Sequence, residues 1–242
     1  MRGLGRGVGL AAAGVAAAAV VHAGPAVTTV ERLRLRLTPR LAGVGTGGHV
    51  ALTFDDGPVA ASTPAFLDAL AAHGWLATFF MLGEEVRRAP GLAAEVAAAG
   101  HEVAVHGDDH GSLLRRDPLA TMDGLRRARN TIAEATGAVP GWFRPPYGVL
   151  TGAALLAAAR LDLRPVLWTA WGRDWRAVAT PESIVTDLLA GRVDGGTLLL
   201  HDFAASGSWR ATLAALPLLA DRLAARDLTA GPLADHRIAR TS

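Results

Sequence analysis

Two adjacent carboxylates, Asp55 and Asp56, follow the apolar run HVALTF at residues 49–54. A run of this kind is typical of a buried strand, and Gly57-Pro58 turns the chain away after it. Because neighbouring strand residues point to opposite faces, the two carboxylates at a strand end can serve different tasks. A solvated Asp-Asp turn is the alternative, so partners elsewhere in the chain decide whether this pair does chemistry.

His106 and His110 are candidate partners, four residues apart in HGDDH after another apolar run. Two neutral imidazoles and one carboxylate make a three-ligand site for a borderline ion such as Zn²⁺, with one coordination position left for water. A hydrogen-bonded loop without metal is the alternative for such a histidine pair. The Asp-Asp pair at a strand end favours the metal site.

Further polar residues, Arg144, Asp174 and His201, stand at or just after other predicted strands. The strands are predicted at residues 49–54, 76–82, 101–106, 142–144, 164–168 and 196–201. Helices are predicted at 65–72, 90–100, 118–136, 151–160, 181–190 and 210–226. This alternation predicts an α/β fold with a mostly parallel sheet, and its length favours barrel-like closure. The carboxyl ends of parallel strands gather at one face, so we expect the polar residues to converge as in an enzyme.

The composition limits the classes of function. A net charge of +2 over 242 residues is too small to favour nucleic acid as a partner. The absence of cysteine excludes disulfides and a thiolate metal site. The length fits one domain of α/β-barrel size, and no internal repeat or second domain is apparent.

The first 23 residues have the layout of a secretory signal. Arg2 and Arg6 precede an apolar stretch at 8–21, and small residues follow at a cleavage position near Ala23. An uncleaved membrane anchor and a buried helix are the alternatives. Residues 24–48 are interpreted as a solvated linker, with an Arg/Leu run on an anionic membrane surface as the alternative, and 49–235 as the catalytic domain. We expect an exported protein, secreted or associated with the cell envelope, with membrane association through the N-terminal segment as an option.

Five motifs occur in order: TFDDG at 53–57, HGDDH at 106–110, RPPYG at 144–148, GRDW at 172–175 and LLH at 199–201. From about residue 49 to at least 203 the chain resembles the polysaccharide deacetylases of the NodB homology type, carbohydrate esterase family 4. The resemblance implies a distorted (β/α) TIM-like barrel. It also implies a hydrolase, expected to be a monomer, that removes N-acetyl or O-acetyl groups from an acetylated glycan such as peptidoglycan or chitooligosaccharide. One divalent metal ion is implied, Zn²⁺ first and Co²⁺ as an alternative.

The same resemblance assigns roles to individual residues. A water activated by the metal attacks the acetyl carbonyl, with Asp55 as general base and His201 as general acid. Arg144 orients the base, Asp174 pairs with the catalytic histidine, and the backbone N–H of Tyr147 holds the oxyanion. The implied metal ligands are Asp56, His106 and His110, and the implied substrate contacts are Pro145, Tyr147, Trp175 and Leu199.

The sequence also departs from the family pattern. Gly107 stands where the family has Ser or Thr, and Thr169 and Trp171 stand at acidic positions, which puts substrate contacts in doubt. Asp108 and Asp109 are expected to point to solvent, with stronger cation binding or easier protonation of the histidines as the alternatives. The remaining histidines, His22, His73, His101 and His236, match no motif and are interpreted as processing-region, loop or surface residues. A catalytically silent glycan-binding relative and a metal-dependent hydrolase of a non-sugar amide stay open as alternatives.

Overall fold

The computed structural model describes residues 16–203 and 206–238, which form one parallel sheet covered by helices. The strands are β1 (His49–Asp55), β2 (Thr78–Leu82), β3 (Glu102–Gly107), β4 (Trp142–Phe143), β5 (Arg164–Pro165), β6 (Ala170–Trp171), β7 (Thr197–His201) and β8 (Thr229–Gly231). Their order is β5-β4-β3-β2-β1-β7-β6, and β8 pairs with the first residues of β1. The predicted α/β class with a parallel sheet is confirmed.

The helices are α1 (Glu31–Leu37), α2 (Thr63–Ala72), α3 (Gly83–Arg88), α4 (Pro90–Ala98), α5 (Pro118–Thr136), α6 (Gly152–Arg160), α7 (Pro181–Ala190) and α8 (Trp209–Ala224). Helix α5 has its predicted bounds because both of its ends are capped. The Asp117 side chain accepts from the Ala120 N–H, and Gly137 ends the helix at a φ of 70°. A capping box between Thr180 and Ser183 fixes the start of α7 in the same way.

Strand β1 lies at the centre of the sheet and packs differently on its two faces. Phe54 lies on the helix side, where its ring stacks on Phe79 at 5.2 Å between centroids and meets Phe66 of α2 edge-on at 5.3 Å. Full burial of such a side chain contributes about 1.5–3 kcal/mol. Asp55 is the next residue along the strand, so the alternation of side chains directs it to the opposite, inner face.

The two outer strands, β5 and β6, are not joined by a strand ladder within the described residues. The chain crosses directly from one to the other, with the Val166 N–H donating to Phe143 and the Thr169 N–H donating to Thr197. The strand predicted at 164–168 is therefore limited to Arg164–Pro165, because the backbone bonds to β4 at residue 166 and already to β7 at residue 169. Within the described residues the curled sheet is thus an open, distorted barrel whose two edge strands are not joined to each other by hydrogen bonds.

The segment predicted as a linker, residues 24–48, packs against this gap. It contains α1, whose Arg34 is only 2% exposed and donates to the Trp168 carbonyl at 3.0 Å. The Leu41 carbonyl accepts from the Leu167 N–H, and the Gly43 carbonyl accepts from Thr197 Oγ1. Its backbone and an arginine are thus built into the domain, so the expectation of a solvated linker is corrected. The domain limits at 23 and 48 stay predictions.

The predicted signal segment falls mainly on residues 1–15, which lie outside the described residues. Residues 16–23 are helical. No helix in the described part of the chain has both the length and the apolar character needed to cross a membrane.

Two histidines interpreted as loop or surface residues lie in loops but are buried. His101 Nδ1 accepts from the Ala77 N–H at 3.2 Å, and the residue is 7% exposed. His236 is fully buried, with its Nε2 3.0 Å from the Gly43 carbonyl and its Nδ1 2.9 Å from His49 Nδ1. The surface interpretation is wrong for both, because each ring fills a polar position beside the backbone.

Candidate active site

The loops and residues at the carboxyl ends of β1, β3, β4 and β7 surround a cavity of about 320 Å³. The sequence-predicted site residues that line it are Asp55, Asp56, His106, His110, Tyr147, Trp175, Leu199 and His201. Arg144 and Asp174 are buried and bind lining residues from behind. Pro145 is buried in the loop and does not line the cavity.

Asp56, His106 and His110 form a cluster of potential metal ligands, with one ligand atom of each within 4.8 Å of the others. Asp56 Oδ1 lies 3.4 Å from His106 Nε2 and 3.3 Å from His110 Nε2. Tetrahedral coordination at zinc-like bond lengths separates neighbouring ligand atoms by roughly 3.3 Å. The two measured separations agree with that geometry.

The chemistry of the donors also fits a divalent cation. Asp56 Oδ1 is buried and has no hydrogen-bond partner, which is costly unless a cation completes it. His106 Nδ1 lies 2.9 Å from the Arg144 carbonyl, and because a carbonyl can only accept, Nδ1 carries the proton. The lone pair of Nε2 is then free for a metal. Burial alone would raise the pKa of Asp56, but contact with His106 and the charges of His201 and His110 lower it to about 2.

Asp55 is held by a buried arginine. Arg144 NH1 donates to Asp55 Oδ1 at 2.6 Å and to Thr53 Oγ1 at 2.8 Å, and NH2 donates to the Leu167 carbonyl at 2.9 Å. The guanidinium is fully buried and lies 4.0 Å from the centroid of the Phe80 ring. Burial lowers the pKa of Arg144, and the charge of Asp55 raises it. This pairing fixes one carboxylate oxygen, while the other, Oδ2, lies 3.9 Å from His106 Nδ1.

His201 is oriented by Asp174. Its Nδ1 lies 2.8 Å from Asp174 Oδ1, while Oδ2 accepts from the His201 backbone N–H at 2.8 Å and from Thr212 Oγ1 at 2.9 Å. Burial lowers the pKa of His201, but Asp174, together with the charges of Asp56 and Asp55, raises it to about 10. The imidazolium form is therefore favoured, and its Nε2 is the nitrogen not engaged by Asp174.

Aromatic side chains form the walls of the cavity. Tyr147 is 62% exposed at a φ of 59°, and its ring meets the His110 ring edge-on at 4.4 Å. Trp175 is 52% exposed and stacks on Trp171 at 6.4 Å between centroids, while Leu199 is buried. The buried Leu199 and the exposed rings of Tyr147 and Trp175 give the cavity apolar walls. Such walls suit a ligand that carries a methyl group and a flat apolar face.

Sequence reasoning missed several contributors. Trp168, Trp171 and Gly148 line the cavity, and Thr212 supports Asp174. Asp202, next to His201, is fully buried, accepts from Thr63 Oγ1 at 2.5 Å and has a pKa raised to about 7, mainly by burial. Its position directly after the motif histidine was the available signal.

The expectation that Asp108 points to solvent is wrong. Asp108 is 8% exposed and binds Arg87 and Arg127. The side chain of Asp109 is 45% exposed and pairs with Arg116. Both carboxylates form ion pairs with arginines outside the HGDDH motif, and no local sequence pattern indicates these pairs.

The protein is thus of the α/β-barrel class, with a cluster of three potential metal ligands at the carboxyl ends of its strands. A family model described as polysaccharide deacetylase matches residues 42–166. The chain belongs to the polysaccharide deacetylase family.

Two relatives illustrate the similarity in sequence. The chain is 33% identical over 164 residues to a peptidoglycan-N-acetylglucosamine deacetylase of Listeria monocytogenes serotype 1/2a (strain 10403S), covering 68% of this chain and 34% of that protein. It is 40% identical over 154 residues to a chitooligosaccharide deacetylase of Bradyrhizobium sp. (strain ANU 289), covering 63% and 70%. The match therefore spans about a third of the length of the Listeria protein.

A solved structure of a family 4 carbohydrate esterase from Streptomyces lividans, in complex with acetate, has the same fold. The TM-score is 0.71 at 32% sequence identity, covering 81% of this chain and 98% of the esterase. This likeness confirms the predicted distorted (β/α) TIM-like barrel.

Proposed function

We propose that this chain is a metal-dependent hydrolase that removes N-acetyl groups, with O-acetyl groups as a second class, from a cell-wall or extracellular polysaccharide. The observation that carries the proposal is the convergence of the Arg144–Asp55 and Asp174–His201 pairs on the three-ligand cluster within one cavity. Peptidoglycan and chitooligosaccharide are the leading substrates, because relatives 33% and 40% identical are named for them.

Asp56, His106 and His110 would hold one divalent ion. Two imidazole nitrogens and a carboxylate favour Zn²⁺, and Co²⁺ is the alternative. When bound, such an ion supplies Lewis acidity, which polarises a carbonyl and lowers the pKa of water.

Asp55 is proposed as the general base. The bond from Arg144 to Oδ1 orients the carboxylate, and Oδ2 receives the proton of the attacking water. Asp55 and the metal ligand Asp56 are adjacent in sequence, yet Asp55 ends β1 while Asp56 has a φ of 80°. That change of backbone direction supports two separate roles for the two carboxylates.

His201 is proposed as the general acid. With Nδ1 committed to Asp174, its Nε2 delivers a proton to the departing amine or alkoxide. Tyr147 contributes its backbone N–H to the developing oxyanion by family resemblance, and Leu199 with Trp175 accommodates the acetyl methyl group. The exposed ring of Tyr147 contacts the sugar.

The test uses the purified full chain and two neighbouring variants. We expect the parent to bind about one Zn²⁺ and to release acetate from chitooligosaccharide or peptidoglycan fragments. Asp56→Ala loses both metal binding and activity, whereas Asp55→Asn keeps the metal and loses activity by about 10²–10⁴-fold, the usual contribution of a general base. Full turnover by Asp55→Asn rules out the base assignment, and glycan binding without acetate release points to a silent relative.

We further propose that the protein is exported, acts as a monomer, and associates with the cell envelope through its N-terminal segment. The exposed apolar residues Val20, Val21, Leu33 and Leu37 and the exposed arginines Arg32 and Arg36 of α1 support contact with an anionic membrane. Co-sedimentation of the full chain with anionic vesicles, and its absence with neutral ones, tests the association. Light scattering tests the monomer.

A further inference from the structure

The loop at residues 107–111, which follows His106 and carries His110, is held by ion pairs. Gly107 has a φ of +138° and brings no side chain that could hold the loop. Within one turn of chain the loop must nevertheless present two imidazoles to the same point, because His106 and His110 both lie within reach of Asp56 Oδ1. Within the loop, Asp109 Oδ1 accepts from the Gly111 N–H at 2.7 Å, and Asp109 also pairs with Arg116. A second connection ties the loop to the helices.

Asp108 makes that connection. Its Oδ1 accepts from Arg87 NH1 at 2.7 Å, and its Oδ2 accepts from Arg127 Nε at 3.2 Å and NH2 at 3.1 Å. Its backbone carbonyl accepts from the Glu84 N–H at 2.8 Å. Arg87 lies on α3 and Arg127 on α5, so one carboxylate ties the ligand loop to two helices.

The fit around this carboxylate is close. A Cβ added at Gly83, the first residue of α3, would lie 2.7 Å from Asp108 Oδ1. The Asp108 side chain is 10% exposed, while those of Arg87 and Arg127 are 46% and 58% exposed. The negative charge is thus enclosed, and its two positive partners reach it from the surface.

We propose that Asp108, Arg87 and Arg127 are positioning residues that set the metal affinity of the site by holding His106 and His110 at their ligating spacing. The inference rests on the proposed function, because it needs the metal site at Asp56. Without the two ion pairs of Asp108 the loop keeps its bond to the Glu84 N–H and the contacts of Asp109 but is less restrained, so binding a cation must order it further. Partners that orient metal ligands from outside the first coordination shell typically contribute 10–100-fold to metal affinity.

The experiment compares Asp108→Asn and Arg127→Met with Arg126→Met as the matched control. Arg126 immediately precedes Arg127 on α5 and pairs with the half-exposed Asp123 at 2.9 Å. For each metal-free full chain, Zn²⁺ affinity is measured by competition with a chromophoric chelator, thermal unfolding without metal is recorded, and kcat is measured at saturating Zn²⁺.

We expect Asp108→Asn and Arg127→Met to raise the Zn²⁺ Kd by about 10–100-fold. Their kcat at saturating Zn²⁺ stays within a few-fold of the parent, and Arg126→Met leaves the Kd unchanged. Arg127→Lys restores part of the affinity. An unchanged Kd in Asp108→Asn, or an equal rise in Arg126→Met, overturns the inference and leaves the proposed function standing. A parent chain that binds no divalent ion overturns both.

Discussion

Arg144→Met is the substitution that would most directly test how the base is held. Methionine fills part of the same volume but removes the charge and all donors. Asp55 Oδ1, Thr53 Oγ1 and the Leu167 carbonyl would each lose the partner that now lies 2.6–2.9 Å away. Because Arg144 is fully buried and Asp55 is 2% exposed, water could replace the lost bonds only by entering the space that the guanidinium now fills.

The expected cost follows from this burial. Removing one partner of a buried ion pair destabilises a protein by about 3–5 kcal/mol, because the other charge is left uncompensated. That is a large part of the roughly 5–15 kcal/mol that holds a typical domain together. Urea unfolding should show the loss. The Zn²⁺ affinity should be retained, because His106 Nδ1 binds the Arg144 backbone carbonyl, which methionine keeps.

A double-mutant cycle with Asp55→Asn separates the charge effect from simple loss of packing. If the unpaired carboxylate is the problem, Asp55→Asn costs less stability in the Arg144→Met background than in the parent. The coupling should be about 0.5–3 kcal/mol. As a surface comparison, Arg126→Met should cost under about 0.5 kcal/mol. A cost below about 1 kcal/mol for Arg144→Met, or additive effects in the cycle, would refute the reasoning.

Two further predictions concern pH. In Asp174→Asn the largest influence that raises the pKa of His201 to about 10 is lost. Burial then dominates, so the His201 imidazolium loses its proton at lower pH. The alkaline limb of the pH profile of kcat should shift to lower pH, and an unshifted limb would contradict the pairing of His201 with Asp174. Burial, with the charge of His49, lowers the pKa of His236 from 6.5 to about 4. Between pH 6.5 and 4 the imidazole of His236 is therefore protonated in the unfolded state but neutral in the folded state. The free energy of unfolding is highest above pH 6.5 and falls by about 3 kcal/mol as the pH drops towards 4. His236→Gln should flatten that part of the stability–pH curve in urea titrations, and an equally steep curve would contradict the assignment.

The parts of the fold that could be predicted are those set by local pattern. Asp117 and Gly137 indicate the two ends of α5, and apolar runs predict β1, β3 and β7. The strand ends then place the polar residues on one face without any knowledge of packing. This is why the Asp, His and Arg residues of the cavity could be named from the sequence.

The rest depends on contacts between distant segments. Burial of Arg34 follows from the gap between β5 and β6, which only the assembled sheet creates. The pairing of Asp108 with Arg87 and Arg127 depends on how α3 and α5 pack, and a run of two acids looks solvated in any sequence. Pro145, a substrate contact implied by the family resemblance, is buried in the turn, whereas Tyr147, two residues further on, is exposed.

Arg144 links the two halves of the site through one residue. Its side chain holds Asp55, and its backbone carbonyl holds His106 in the tautomer that leaves Nε2 free. Because both groups belong to the residue that follows β4, any shift of this strand end displaces the base and a metal ligand together. Asp55 ends β1 and His106 lies on β3, and Arg144 at the end of β4 bonds to both. The distance between the base and the metal ligands is therefore set by the sheet itself.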